Sequence, residues 1–205
     1  MNGSEYRVLV GDARAFSETA WLVESEIQRL GASPEHSEPI GGGSKGWPSQ
    51  TVWESLKTAS HFNLGVALEL RLKCLLRLKG IKWPPGKEGH MLAKLYSRLP
   101  SEIAKQLTTQ FHESTGGCAI TLRAFMHTHT ATPPRRPTSV SLDTVQDFFK
   151  YMDGDMALWE KRYSWERVST QAWRHYVDDL RPFLDFLVKM ENLGRDVARK
   201  VGIIR

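Results

Sequence analysis

The groups in this chain able to move protons, hold phosphate or bind metal are unevenly spread. His127 and His129, in "RAFMHTH", stand at alternate positions and share one face only in an extended segment. His112 or Cys118 is the candidate third ligand, but no fixed ligand spacing surrounds them, so no metal or other cofactor is expected. "GGGSKG", residues 41–46, has the glycines and lysine of a phosphate loop. Its glycine spacing is wrong, no Lys-Ser/Thr pair closes it and no apolar strand feeds it. "DGD", residues 153–155, lacks calcium-loop spacing; it reads as Gly154 ending one helix and Asp155 capping the next. Arg162 and Glu166 are one helical turn apart and predict an ion pair. "GHMLAKLYSRLP" raises a different question, because a histidine follows glycine at the start of an amphipathic run. Glycine permits unusual dihedrals there, and the histidine can then bond a free backbone group or a carboxylate on a neighbouring helix.

The elements that would position these residues read as helices. Phe16, Ala20, Val23, Ile27 and Leu30 form one stripe of a first helix over 12–30, with Asp12 as its cap and Gly31 as its stop. The preceding "EYRVLV" fits a short strand or a helical lead-in equally well. Residues 31–48 have the composition of a flexible loop. The strongest pattern runs from 49 to 79, where Val52, Leu56, Ala59, Val66, Leu70 and Leu75 keep helical spacing. Around Leu68 to Leu78 the helix is apolar on several sides, which predicts a central position. Pro84 and Pro85 forbid helix in the loop that follows. Helices over 89–99 and from Ser101 onward follow, the second burying Ile103, Leu107 and Phe111. Residues 113–140 read as an irregular insert in which "CAITLRAFM" is helix or strand. The next helix carries Val145, Phe148, Phe149 and Met152, stops near Gly154 and resumes in "ALWEKRYSWE". A last helix is expected over 169–199, with Trp173, Val177, Leu180, Leu184 and Leu187 inward and Pro182 kinking it. No alternating strand pattern is convincing. The sum is one all-α domain over 1–205, a bundle of five to seven helices with a long central one.

Composition sets wider bounds. Apolar residues make up 40 % of 205, enough for a real core. The formal charge of +5 permits an acidic partner such as RNA without demanding one. Two cysteines, Cys74 in a leucine-rich stretch and Cys118, give neither a disulfide framework nor a zinc spacing. The first residues lack the pattern of a signal peptide and no apolar run is long enough to span a bilayer, so a cytoplasmic protein is expected. Seven tryptophans are numerous for this length and favour an interface.

The order of motifs carries a resemblance. A long helix holds "ALELRLKCLLRLKG", a proline-containing loop follows, then "GHMLAKLYSRLP", and much later "KRYSWE". This succession resembles the HEPN superfamily, the higher eukaryote and prokaryote nucleotide-binding domains, over roughly residues 52–190. Glu69, Lys73, Gly89, His90, Leu92 and Leu95 match its Glu-x-x-x-Lys helix and its Gly/Asp-His-x-Leu-x-x-Leu start. Glu69 is then the carboxylate expected to face His90, in a structural clamp between two helices.

The family's ribonucleases cleave RNA without metal through an Arg-x(4–6)-His motif. The histidine handles the proton of the ribose 2′-hydroxyl or leaving oxygen, and the arginine holds the phosphate. Two protomers usually bring their motifs together, so the resemblance implies a homodimer. Arg123 and His129 have the fitting separation, as do Arg29 and His36 across a helix end. The residue after Arg123 is Ala124, where the family is usually polar, and "HTHTATPP" reads as loop. The expectation is therefore a non-catalytic module binding a ligand, nucleotide, RNA or partner protein, such as a nucleotidyltransferase, in a bacterial defence or toxin–antitoxin type system. Arg135, Arg136 and Arg162 are its candidate binding residues. A metal-independent endoribonuclease using Arg123 and His129, or a scaffold outside this family, is the alternative.

Overall fold

The computed structural model describes residues 1–30, 52–116, 122–126, 142–154, 173–177 and 179–205. Among these the chain is all-α apart from one short ribbon. The elements run α1 (Gly3–Arg29), α2 (Val52–Leu78), a 3-10 turn (Gly86–His90), α3 (Leu92–Tyr96), α4 (Ser101–Thr115), β1 (Leu122–Met126), α5 (Val145–Gly154), β2 (Trp173–Val177) and α6 (Arg181–Lys200). Helix α2 lies at the centre, as its apolar pattern predicts, flanked by α1, α3 and α6. Leu64, Leu68, Leu72, Leu75 and Leu76 are all buried on it. Cys74 is a buried free thiol, its pKa pushed up to about 11 by burial.

Helix α1 starts nine residues before the expected Asp12 cap. The cap is Asn2, in a reciprocal box with Glu5: the Glu5 amide donates to Asn2 Oδ1 at 2.8 Å and the Asn2 amide to Glu5 Oε2 at 3.1 Å. "EYRVLV" is therefore helix. The inward stripe holds through Ala20 and Ile27, whereas Leu30 is exposed.

Helix α4 buries Ile103, Leu107 and Phe111 and stops at Gly116, which takes the left-handed conformation. Residues 113–115 thus belong to a helix and not to an irregular insert. Helix α5 is capped by Thr144, whose Oγ1 accepts from the Asp147 amide at 3.1 Å. It buries Phe148, Phe149 and Met152. The resumption over "ALWEKRYSWE" lies outside the described residues, as does the loop over 31–48.

Two corrections concern the C-terminal third. "WRHYV", expected in the last helix, is a strand, and "LRAFM", open between helix and strand, is its partner; they pair antiparallel with Leu122 opposite Val177 and Met126 opposite Trp173. The final helix begins at Arg181, not residue 169. Pro182 falls in its first turn, where a missing N–H costs nothing, and so starts the helix instead of kinking it. Aromatic and β-branched residues in "WRHYV" suit a strand. Val177, Leu180, Leu184 and Leu187 are nevertheless all buried, so the expected inward residues there hold across the change of element.

Candidate functional site

Helix α2 has almost no solvent face, yet it carries Lys57, His61, Glu69, Arg71 and Lys73, all buried. Charges taken out of water must be paired, and each of these is engaged by a neighbouring element. Lys57 Nζ donates to both carboxylate oxygens of Glu24 on α1, at 2.8 and 3.0 Å. His61 Nδ1 donates to the Lys57 carbonyl at 2.8 Å, and its Nε2 accepts from the Val177 amide at 3.1 Å. That arrangement fits the neutral imidazole and ties the ribbon to α2.

The second node contains the pair expected from sequence. Glu69 Oε1 accepts from His90 Nδ1 at 2.9 Å and from Lys73 Nζ at 2.7 Å. Lys73 Nζ also lies 5.4 Å from the centre of the Trp83 ring. Asp153, at the end of α5, accepts from the amides of Leu92 at 2.6 Å and Ala93 at 2.9 Å. It thereby caps α3 from across the fold, a role the reading of "DGD" missed. Burial pushes the Asp153 carboxyl above its usual range, opposed by those two amides and helped by the charge of Glu69. The node thus joins α2, the 3-10 turn, α3 and α5.

Gly89 is needed for a reason other than unusual dihedrals. Its φ is not positive. A Cβ placed there would sit 2.3 Å from the Pro84 carbonyl oxygen. The glycine lets the turn fold back on the proline loop and so delivers His90 to Glu69. Gly89→Ala should destabilise the protein by about 1–3 kcal/mol, as overpacking against backbone does. Urea denaturation checks this; a parental midpoint would show that the turn relaxes freely.

The third feature is open. A groove of about 800 Å³ lies between α1 and α6, with α2 as its floor. Trp21, Leu22, Leu184, Leu187 and Val188 line its walls, and Trp21, Leu22 and Val188 are at least half exposed. On the floor Glu191 pairs with Arg14 and Arg71, and with Arg195 at 3.2 Å. Burial raises the Glu191 carboxyl, but the arginines outweigh it and hold the group below its usual range. No expectation from sequence pointed here.

Arg123 lies in β1, paired in register with Tyr176. His129, His36, Arg135, Arg136, Arg162 and Glu166 fall outside the described residues, as do His127, Cys118 and Asp155. His112 is exposed on α4. Among the described residues no three potential metal ligands converge, and no helix is long and apolar enough to cross a membrane. In comparisons with known proteins, no family model, no curated protein and no solved structure matches this chain.

Proposed function

We propose that this chain is a HEPN-like helical module that works by binding, without catalysis, in a bacterial defence or toxin–antitoxin type system. The reading rests first on the order of motifs in the sequence. The observation that carries the binding part is the α1/α6 groove, which leaves Trp21, Leu22 and Val188 exposed beside a charged floor. The histidine of the matching motif, His90, spends its Nδ1 proton on a buried carboxylate that also holds Lys73. A group so committed suits a clamp better than a proton shuttle. The resemblance adds the partners: a second copy of the chain, RNA or a nucleotide, and a nucleotidyltransferase-type protein; the cytoplasmic location comes from the sequence pattern alone.

The test is incubation of RNA with the purified protein in chelator, alongside Arg123→Ala and His129→Ala. The expected result is intact RNA in all three. Any RNA affinity should be electrostatic and fall steeply from low to moderate salt. Cleavage by the wild type that both substitutions abolish would replace this reading with the endoribonuclease.

A further inference from the structure

The ribbon of β1 and β2 has two faces of different chemistry. Successive residues of a strand alternate between faces, and residues directly opposite in the register share one. Val177 is buried and its amide donates to His61 on α2, so the face it occupies is the inner one. Leu122 stands opposite Val177, and alternation adds Ala124, Met126, Trp173 and His175 to that face. The second face takes the remaining positions, with Arg123 opposite Tyr176 and Phe125 opposite Arg174.

On this second face the two rings lie on one diagonal and the two arginines on the other, each diagonal about 7–8 Å long. No acidic residue accompanies them in either strand. The chain has none between Glu113 and Asp143, a stretch holding Arg123, Arg135 and Arg136. It has none between Glu166 and Asp178, a stretch holding Arg167 and Arg174. Cations interleaved with aromatic faces, and no carboxylate beside them, suit a ligand that presents phosphates and flat bases together. Bases are free to stack on protein rings in a single strand, whereas in a duplex they stack on one another.

We propose that this face of the ribbon binds single-stranded nucleic acid, with bases stacked on Phe125 and Tyr176 and phosphates held by Arg123 and Arg174. The inference rests on the binding-module reading and deepens it, by giving its RNA partner a site. It also gives Arg123 a task that needs no His129. The arginines make binding steeply salt-dependent, and the rings decide for single strand over duplex.

The test is fluorescence anisotropy of the full chain with a labelled oligothymidine of about 12 nucleotides and with a DNA duplex of the same length. Oligothymidine lacks the 2′-hydroxyl that ribonuclease chemistry needs, so binding is read whether or not the chain cleaves RNA. The single strand is expected to bind about tenfold more tightly than the duplex, or better. Phe125→Leu and Tyr176→Leu should each weaken it about tenfold, whereas Tyr176→Phe keeps the ring and should bind like the parent. Replacing both Arg123 and Arg174 with glutamine should flatten the slope of log affinity against log salt by about 1.4. Arg7→Gln, at an exposed position on α1, should leave affinity unchanged. Should a leucine variant lose the parental circular dichroism spectrum, the salt slope of the arginine pair decides. No binding of oligothymidine, equal binding of the duplex, or affinity indifferent to the ribbon substitutions would overturn the inference. Those results leave the RNA cleavage assay unaffected, and cleavage dependent on Arg123 and His129 would overturn the module reading without changing the titration.

Discussion

Replacing Lys57 with methionine should lower the unfolding free energy by about 3–5 kcal/mol. The side chains of Lys57 and Glu24 are 1 % and 3 % exposed, and the lysine satisfies both carboxylate oxygens. Methionine fills nearly the same volume, so the loss comes from leaving Glu24 as a buried anion without its counter-charge. The Leu180 amide, at 3.5 Å from Glu24 Oε1, is too distant to substitute. Lys57 Nζ also lies 5.8 Å from the centre of the Trp53 ring, a cation–π contact that methionine loses. Changing Glu24 to leucine as well should recover part of the loss, because an apolar pair is often as stable as a buried ionic one. Equilibrium denaturation of both variants checks this. A single variant within about 1 kcal/mol of the parent would show that water reaches Glu24.

Phe111→Ala should cost about 3–5 kcal/mol. Phe111 is fully buried and lies at the centre of an aromatic cluster that joins α4, α5 and α6. Its ring centre is 5.7 Å from Phe148, 6.0 Å from Phe183 and 5.4 Å from Phe186. Phe148 and Phe183 stack at 4.2 Å behind it. The three remaining rings cannot all collapse into the space Phe111 leaves, so a cavity term adds to the lost burial. The measurement is the change in denaturant midpoint at constant slope. A shift worth less than about 1 kcal/mol would mean that the cluster repacks.

The helical frame was legible because helical apolar spacing depends on neighbours a few residues apart. Leu68 to Leu78 read as a helix apolar on several sides and hence central, and α2 does lie at the centre. The same observation held an unused clue. A helix with no wet side that still carries Lys57, His61, Glu69, Arg71 and Lys73 must pair those groups with other elements. Glu69 and Lys73 meet within the helix, but the other partners are far along the chain. Glu24 is 33 residues from Lys57, and Glu191 is 120 from Arg71.

Asp153 was missed for the same reason. Its amide partners on α3 lie 61 and 60 residues away, while "DGD" has an adequate local explanation. The start of α1 is not fixed by sequence because Asp12 and Asn2 both suit a cap, and the Glu5 that completes the box lies in "EYRVLV", which fits a strand or a helical lead-in. In "WRHYV" the inward spacing of Val177, Leu180 and Leu184 continued into a true helix, so periodicity concealed the strand. The groove was invisible to sequence because exposure of Trp21, Leu22 and Val188 is set by the packing of α1 against α6.

The claim that Glu69 and His90 form a clamp between helices has a direct test. His90 is 38 % exposed and donates to a carboxylate that is 4 % exposed, and Glu69 Oε2 already lacks a partner among the described residues. Removing the imidazole leaves Lys73 as the remaining donor to that side chain and frees the 3-10 turn from α2. The measurement is the urea denaturation midpoint of His90→Ala against the parent at neutral pH. The clamp predicts a midpoint lowered by the equivalent of about 1–3 kcal/mol with the slope unchanged. A midpoint equal to the parent's would contradict it and would return His90 to the groups available for chemistry.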